Sequence, residues 1–213
     1  METIAKVRAQ AKRLVARHKG QPRALVEEAI RLAGEGDEQL AFEVFRASKA
    51  AVRSLTRKEI ETLRTHLHDW NSTDCFACFV SGVAWREGVL SDSVIARWAR
   101  SDDRWTRRAA LASTVPLNLP ARGATAPEGE PAKTLAICQV LVDDRDDMVV
   151  KALSWALRVL ARKDASAVRA FIAQHADRLA SRVLRETHNT LKTGLKNPKR
   201  SLHAPSTRRP AAR

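Results

Sequence analysis

Asp146-Asp147-Met148-Val149-Val150-Lys151-Ala152-Leu153-Ser154-Trp155-Ala156-Leu157-Arg158-Val159-Leu160-Ala161-Arg162 reads as one amphipathic helix. Val150, Leu153, Leu157 and Leu160 recur at i, i+3, i+7 and i+10, which lines one face of a helix. At about 100° per residue, Trp155 falls opposite the centre of that stripe, among Lys151, Arg158 and Arg162. The helix's own core does not account for a Trp there. Two readings fit it. The face packs under a further layer of helices, or it offers a nucleotide an aromatic surface with cations beside it for phosphates.

The same texture extends in both directions. Ala, Leu, Arg and Glu dominate, Gly is sparse, and alternating β-branched runs are missing. Further helices are predicted near 5–18, 22–33, 37–52, 74–86, 91–100, 103–114, 131–142, 166–175 and 178–193. Thr56-Arg57-Lys58-Glu59 fits a capping box opening another that runs to about Asp69, and Gly194 stands where a C-terminal cap belongs. Short helices joined by short turns predict an all-α solenoid of stacked antiparallel pairs, with its cations gathered on one concave face. Pro116 to Pro131 holds Pro120, Gly123, Pro127 and Gly129 and reads as one extended loop inside a single domain over 1–195.

Lys and Arg total 38 against 24 acids, a formal charge of +14, which favours a polyanionic partner. From Lys192 onward there are seven basic residues and no acid, so the remainder carries 31 − 24 = +7. The end, 196–213, is expected to be a basic disordered tail that adds affinity but does not choose a site. No apolar run is long enough to span a membrane and no signal-peptide core is present, so a cytoplasmic, nucleoid-associated monomer is expected. Three Cys argue against a disulfide framework. His66, His68, Cys75 and Cys78 supply four potential zinc ligands, but Cys-Phe-Ala-Cys reads better as a buried helical face. Neither a metal nor a cofactor is therefore expected.

Two further clusters pair Trp with charge. In Trp70-Asn71-Ser72-Thr73-Asp74, Trp70 is expected to end one helix and Asp74 to start the next, where an acid commonly serves only as a cap. In Trp105-Thr106-Arg107-Arg108, a Trp and two Arg open a helix. Trp85 and Trp98 read as core.

Taken together, Trp70–Asp74, Ser101–Ala110 and Val150–Arg158 resemble the DNA alkylation repair family, the AlkD-like glycosylases built from HEAT-like repeats. The resemblance spans about 37–195. It implies that Trp70 and Trp155 flank a damaged nucleotide and that Asp74 is the catalytic acid. It also implies that Arg108, or Arg107 beside it, contacts DNA near the lesion, in the company of Lys151, Arg158 and Trp105. The family carries an aromatic residue near its N-terminus, in a segment with a Tyr. This chain has no Tyr and no aromatic in 1–36, which leaves Phe42 or Phe45 to stand in.

The implied activity is hydrolytic removal of N7- or N3-alkylated purines from double-stranded DNA. Such a base is cationic and its glycosidic bond is already activated, so no strong general acid is required. The transition state places positive charge on the sugar, which a fixed carboxylate stabilises and two Trp faces favour. One alternative is a non-catalytic binder of damaged or branched DNA, which does not need Asp74. Another is a protein–protein scaffold, a common use of α-solenoids.

Overall fold

The computed structural model describes residues 3–119 and 129–198, and among them every regular element is helical. In chain order the helices are α1 (Ile4–Arg17), α2 (Pro22–Gly34), α3 (Glu38–Ala47), α4 (Lys49–Ser54), α5 (Arg57–Arg64), α6 (Trp70–Phe76) and α7 (Gly82–Arg86). They continue as α8 (Asp92–Trp98), α9 (Arg104–Ala112), α10 (Val115–Asn118), α11 (Pro131–Val140), α12 (Asp147–Leu160), α13 (Ala165–Gln174) and α14 (Ser181–Thr193).

The helices form two layers. In one, α3, α6, α9, α12 and α14 pack in succession, with α1 on α3. In the other, α2, α5, α8 and α11 follow one another, and α13 lies against α12. Ion pairs stitch this second layer: Arg23 to Glu59 at 2.6 Å joins α2 to α5, and Arg97 to Glu61 at 2.7 Å joins α5 to α8. One apolar core runs from Val7 to Val183 between the layers. This is the all-α solenoid that the helical periodicity predicts.

Local chemistry explains most boundaries. Thr56 and Glu59 form the expected capping box, and Gly194 ends α14 in the left-handed region at φ 74°. The segment expected as one helix over 37–52 breaks at Ser48, whose side chain accepts from the Ala51 N–H and restarts the chain as α4. Pro116 sits in the first turn of α10, where its missing N–H costs nothing, so the break expected over 116–131 begins only after Asn118. Residues 120–128, and 199–213 of the expected tail, lie outside the described residues. The buried Asn118 amide holds both ends of that break: it donates to Thr134 Oγ1 at 2.8 Å and accepts from the Glu130 N–H at 3.1 Å.

A larger correction concerns α6. Trp70 does not end a helix and Asp74 does not begin one. Asp69 is the N-cap, accepting from the Ser72 N–H at 2.6 Å, and Trp70 and Asp74 lie on the same helix. The helix continues through a single π-helical turn, Ala77–Ser81, into α7. Gly82 closes that turn against α9 and α10. A Cβ there would lie 2.6 Å from the Ser113 carbonyl oxygen and 2.8 Å from Pro116 Cγ. Gly82→Ala is therefore expected to destabilise the fold by about 1–3 kcal/mol, read as a lower melting temperature. An unchanged melt would mean the backbone yields freely there.

Candidate functional site

The face of α12 that bears Trp155 is narrow. Residues Val149, Val150, Ala152, Leu153, Ser154, Ala156, Leu157, Val159 and Leu160 are all buried. Lys151, Trp155 and Arg158 remain partly exposed, following Asp147 and Met148 along one stripe. α12 is thus packed on most sides, and one strip holding an aromatic and two cations stays partly open.

Trp70 is 56% exposed, although Trp is among the side chains that gain most from burial. Asp74 follows it by four residues, on the same side of α6. The Asp74 carboxylate is gripped by Arg108 of α9, whose Nε donates to Oδ1 at 2.9 Å and Nη2 to Oδ2 at 2.7 Å. The third guanidinium nitrogen, Nη1, donates to the Met148 carbonyl in the first turn of α12 at 2.6 Å. Arg108 thereby ties three helices together with 7% of its side chain exposed, and its fork points inward at Asp74 rather than outward at a ligand.

Burial raises the Asp74 pKa above its ordinary value, and the Arg108 hydrogen bonds pull it back part of the way. The position is that of an inner-layer carboxylate held by a bidentate partner. Asp69 does the capping, so the reading of Asp74 as a helix cap is overturned.

The other expected residues are placed as follows. Arg107 donates to Asp144 at 2.7 Å and to the Ser101 and Asp102 carbonyls, tying α9 to the turn before α12. Arg158 donates to Ser154 Oγ and lies 3.9 Å from Glu186, a buried acid that Lys196 also reaches at 3.5 Å. Among the described residues Lys151 pairs with Asp147 alone, one turn earlier, and keeps 38% of its side chain exposed. Trp105 is half-buried with the Arg104 guanidinium 5.3 Å from its ring centre. Trp85 and Trp98 are core, as expected, each held by an acid: Asp92 for the first, Glu61 for the second.

A pocket of about 400 Å³ opens beside this strip. Trp155, Phe45, Phe79 and Val83 line it together with Arg46, Lys49 and Arg86. Cys78, one turn beyond Asp74, belongs to both regions. Of the two candidate N-terminal aromatics, Phe42 is fully buried against Phe76, with ring centres 5.7 Å apart, whereas Phe45 reaches the pocket. Sequence reasoning missed Phe79, Arg46, Lys49 and Arg86, because α3, α4 and α7 meet there only in three dimensions. Burial pushes the Cys75 thiol up to about 12 and raises Cys78 as well, so both stay protonated, and neither is activated as a nucleophile. Among the described residues, no group of three or more His, Cys, Asp or Glu side chains is gathered as a metal would require.

The model of one protein family, DNA alkylation repair enzyme, matches residues 3–191. The chain belongs to that family. Neither the curated proteins nor the solved structures contain a significant match. This member of the DNA alkylation repair enzymes therefore has a role in alkylation repair, as an enzyme with DNA as its substrate. The match takes in Trp70, Asp74, Arg108 and Trp155. No helix among the described residues is long and apolar enough to cross a membrane.

Proposed function

We propose that the protein is a DNA glycosylase that hydrolyses the bond between deoxyribose and an N7- or N3-alkylated purine. Trp70, Asp74 and Trp155 form its catalytic face. One observation carries this reading: Asp74, a partly buried carboxylate gripped by Arg108 while Asp69 caps its helix, sits one helical turn from an exposed Trp in an alkylation repair enzyme.

The proposed mechanism is electrostatic. A carboxylate fixed by Arg108 does not reorganise when positive charge develops on the sugar, so its field is fully available in the transition state. The Trp ring faces favour the same cationic character. The lesion carries its own leaving-group activation, so Asp74 acts as an anion and orients water, and no protonated acid is required. Arg108 is a positioning residue that holds this carboxylate in place.

DNA is expected to lie along the Lys151–Trp155 strip, with Trp105 and Arg104 at its end. Arg158 lines that strip, and Arg107 braces it. Lys151 is freest to exchange its surface partner for a phosphate, since an exposed ion pair one turn apart holds it weakly. Lys151→Ala is accordingly expected to weaken duplex binding irrespective of sequence and to lower the log–log salt slope by about one. An unchanged slope would place Lys151 off the DNA.

Incubation with duplex DNA carrying N7-methylguanine or N3-methyladenine tests the activity. Free base above the spontaneous rate is expected. Retention of that DNA without base release would convert the reading to a non-catalytic binder.

A further inference from the structure

The chemistry proposed for Asp74 leaves the interior of the neighbouring pocket unused. We propose that this pocket captures the uncharged base of one unstacked nucleotide of the bound DNA, with its phosphate on Lys49 and Arg86, while the cationic lesion stays beside Asp74.

Size, wall and charge each support this occupant. A volume of about 400 Å³ is in the range of small-molecule sites. Phe79 offers an aromatic face, on which any base stacks whatever its sequence. Among the described residues, the charged side chains lining the pocket are all cations: Arg46, Lys49 and Arg86. An alkylated purine cation would be repelled there, whereas a neutral base joined to an anionic phosphate complements an apolar lining with cations.

These three cations are not equally committed. Arg46 is paired with the buried Glu43 and sits 5.9 Å from the Phe79 ring centre. Arg86 donates one nitrogen to the Pro116 carbonyl and lies 3.9 Å from Glu87. Lys49 is exposed and, among the described residues, makes no ion pair or side-chain hydrogen bond, so its ammonium is free for a phosphate. Cys78, a pocket-lining residue, follows Asp74 by four positions, so the pocket adjoins the segment that carries the carboxylate.

The inference rests on DNA being the ligand and does not need base release. It is tested with three undamaged duplexes: fully paired, with one bulged thymidine, and with one bulged abasic analogue. The two bulges bend DNA alike and differ only in the base. The wild-type protein is expected to bind the thymidine bulge about tenfold more tightly than the abasic bulge. Val83→Trp, which fills the pocket, is expected to abolish that ratio while leaving affinity for paired duplex unchanged. Should Val83→Trp fail to fold, Phe79→Ala, which removes a stacking face from the pocket wall, decides, and its ratio is expected to fall toward one. Equal binding of the two bulges by the wild-type protein, or a ratio retained in the folded variant, overturns the capture site alone and leaves the glycosylase reading standing. Failure to bind any of the three duplexes would overturn both.

Discussion

Arg108→Ala is expected to be the most destabilising single change at the site, costing about 3–5 kcal/mol, the usual penalty for leaving half of a buried ion pair. The variant loses both bonds to Asp74 and the bond to the Met148 carbonyl, so α6, α9 and α12 lose their shared tie. The Asp74 carboxylate, already raised in pKa by burial, loses the partner that pulls it back and rises further. For a chain of this size the melting temperature should fall by about 6–20 °C. Base release should drop even well below the melt, because the carboxylate becomes both mobile and more readily protonated. Arg108→Lys keeps the charge but not the two-pronged fork, so it should fall between wild type and Arg108→Ala in both measurements. Thermal unfolding followed at neutral pH, with release measured at 25 °C or below, checks the expectation. An unchanged melt would remove Arg108 from its positioning role.

Periodicity made the fold legible. The stripe Val150, Leu153, Leu157 and Leu160 is buried as its spacing requires, and the strip opposite it holds Lys151, Trp155 and Arg158. The capping box at Thr56 and the glycine stop at Gly194 were also readable, because both are contacts within one turn. Misreadings arose where a local signal had two possible owners. Asp69 and Asp74 are both acids near a helix start. The sequence does not show that Ser72 reciprocates with Asp69, which moves the helix start back to Trp70. The resemblance implies a DNA contact for Arg108 or Arg107, but a motif match carries an arginine's position and not its direction. Only the packing of α9 between α6 and α12 turns it inward. The pocket was not legible at all, since Lys49, Phe79, Arg86 and Trp155 are far apart in the chain and share no motif.

Asp74→Asn is expected to lower base release by about 10²–10³-fold, the loss that follows removal of one fixed electrostatic stabiliser of a transition state. The change preserves shape and leaves an oxygen to accept one Arg108 bond, but it removes the negative charge. That charge repels phosphate in the ground state and helps only as the sugar becomes cationic, so DNA affinity should be equal or improved. The neutral side chain still accepts from Arg108 and sheds the burial penalty of the carboxylate, so the melting temperature should change little. The pH dependence follows the same charge. The folded-state pKa of Asp74 is raised, so its protonation favours the folded state. Its burial penalty is absent at low pH and grows as pH rises through the folded value. Release requires the ionised form, so the wild-type rate should fall in acid with a midpoint above the ordinary aspartate value. The most direct measurement is single-turnover release of free base from one duplex carrying a single N7-methylguanine. Wild type and Asp74→Asn are compared at matched bound fractions, below the melting temperature of the variant. The predicted result is complete conversion by wild type to free base and an equal number of abasic sites, with the variant slower by two to three orders of magnitude, about the range seen when one such stabiliser is removed. Equal rates from the two folded proteins would contradict the account.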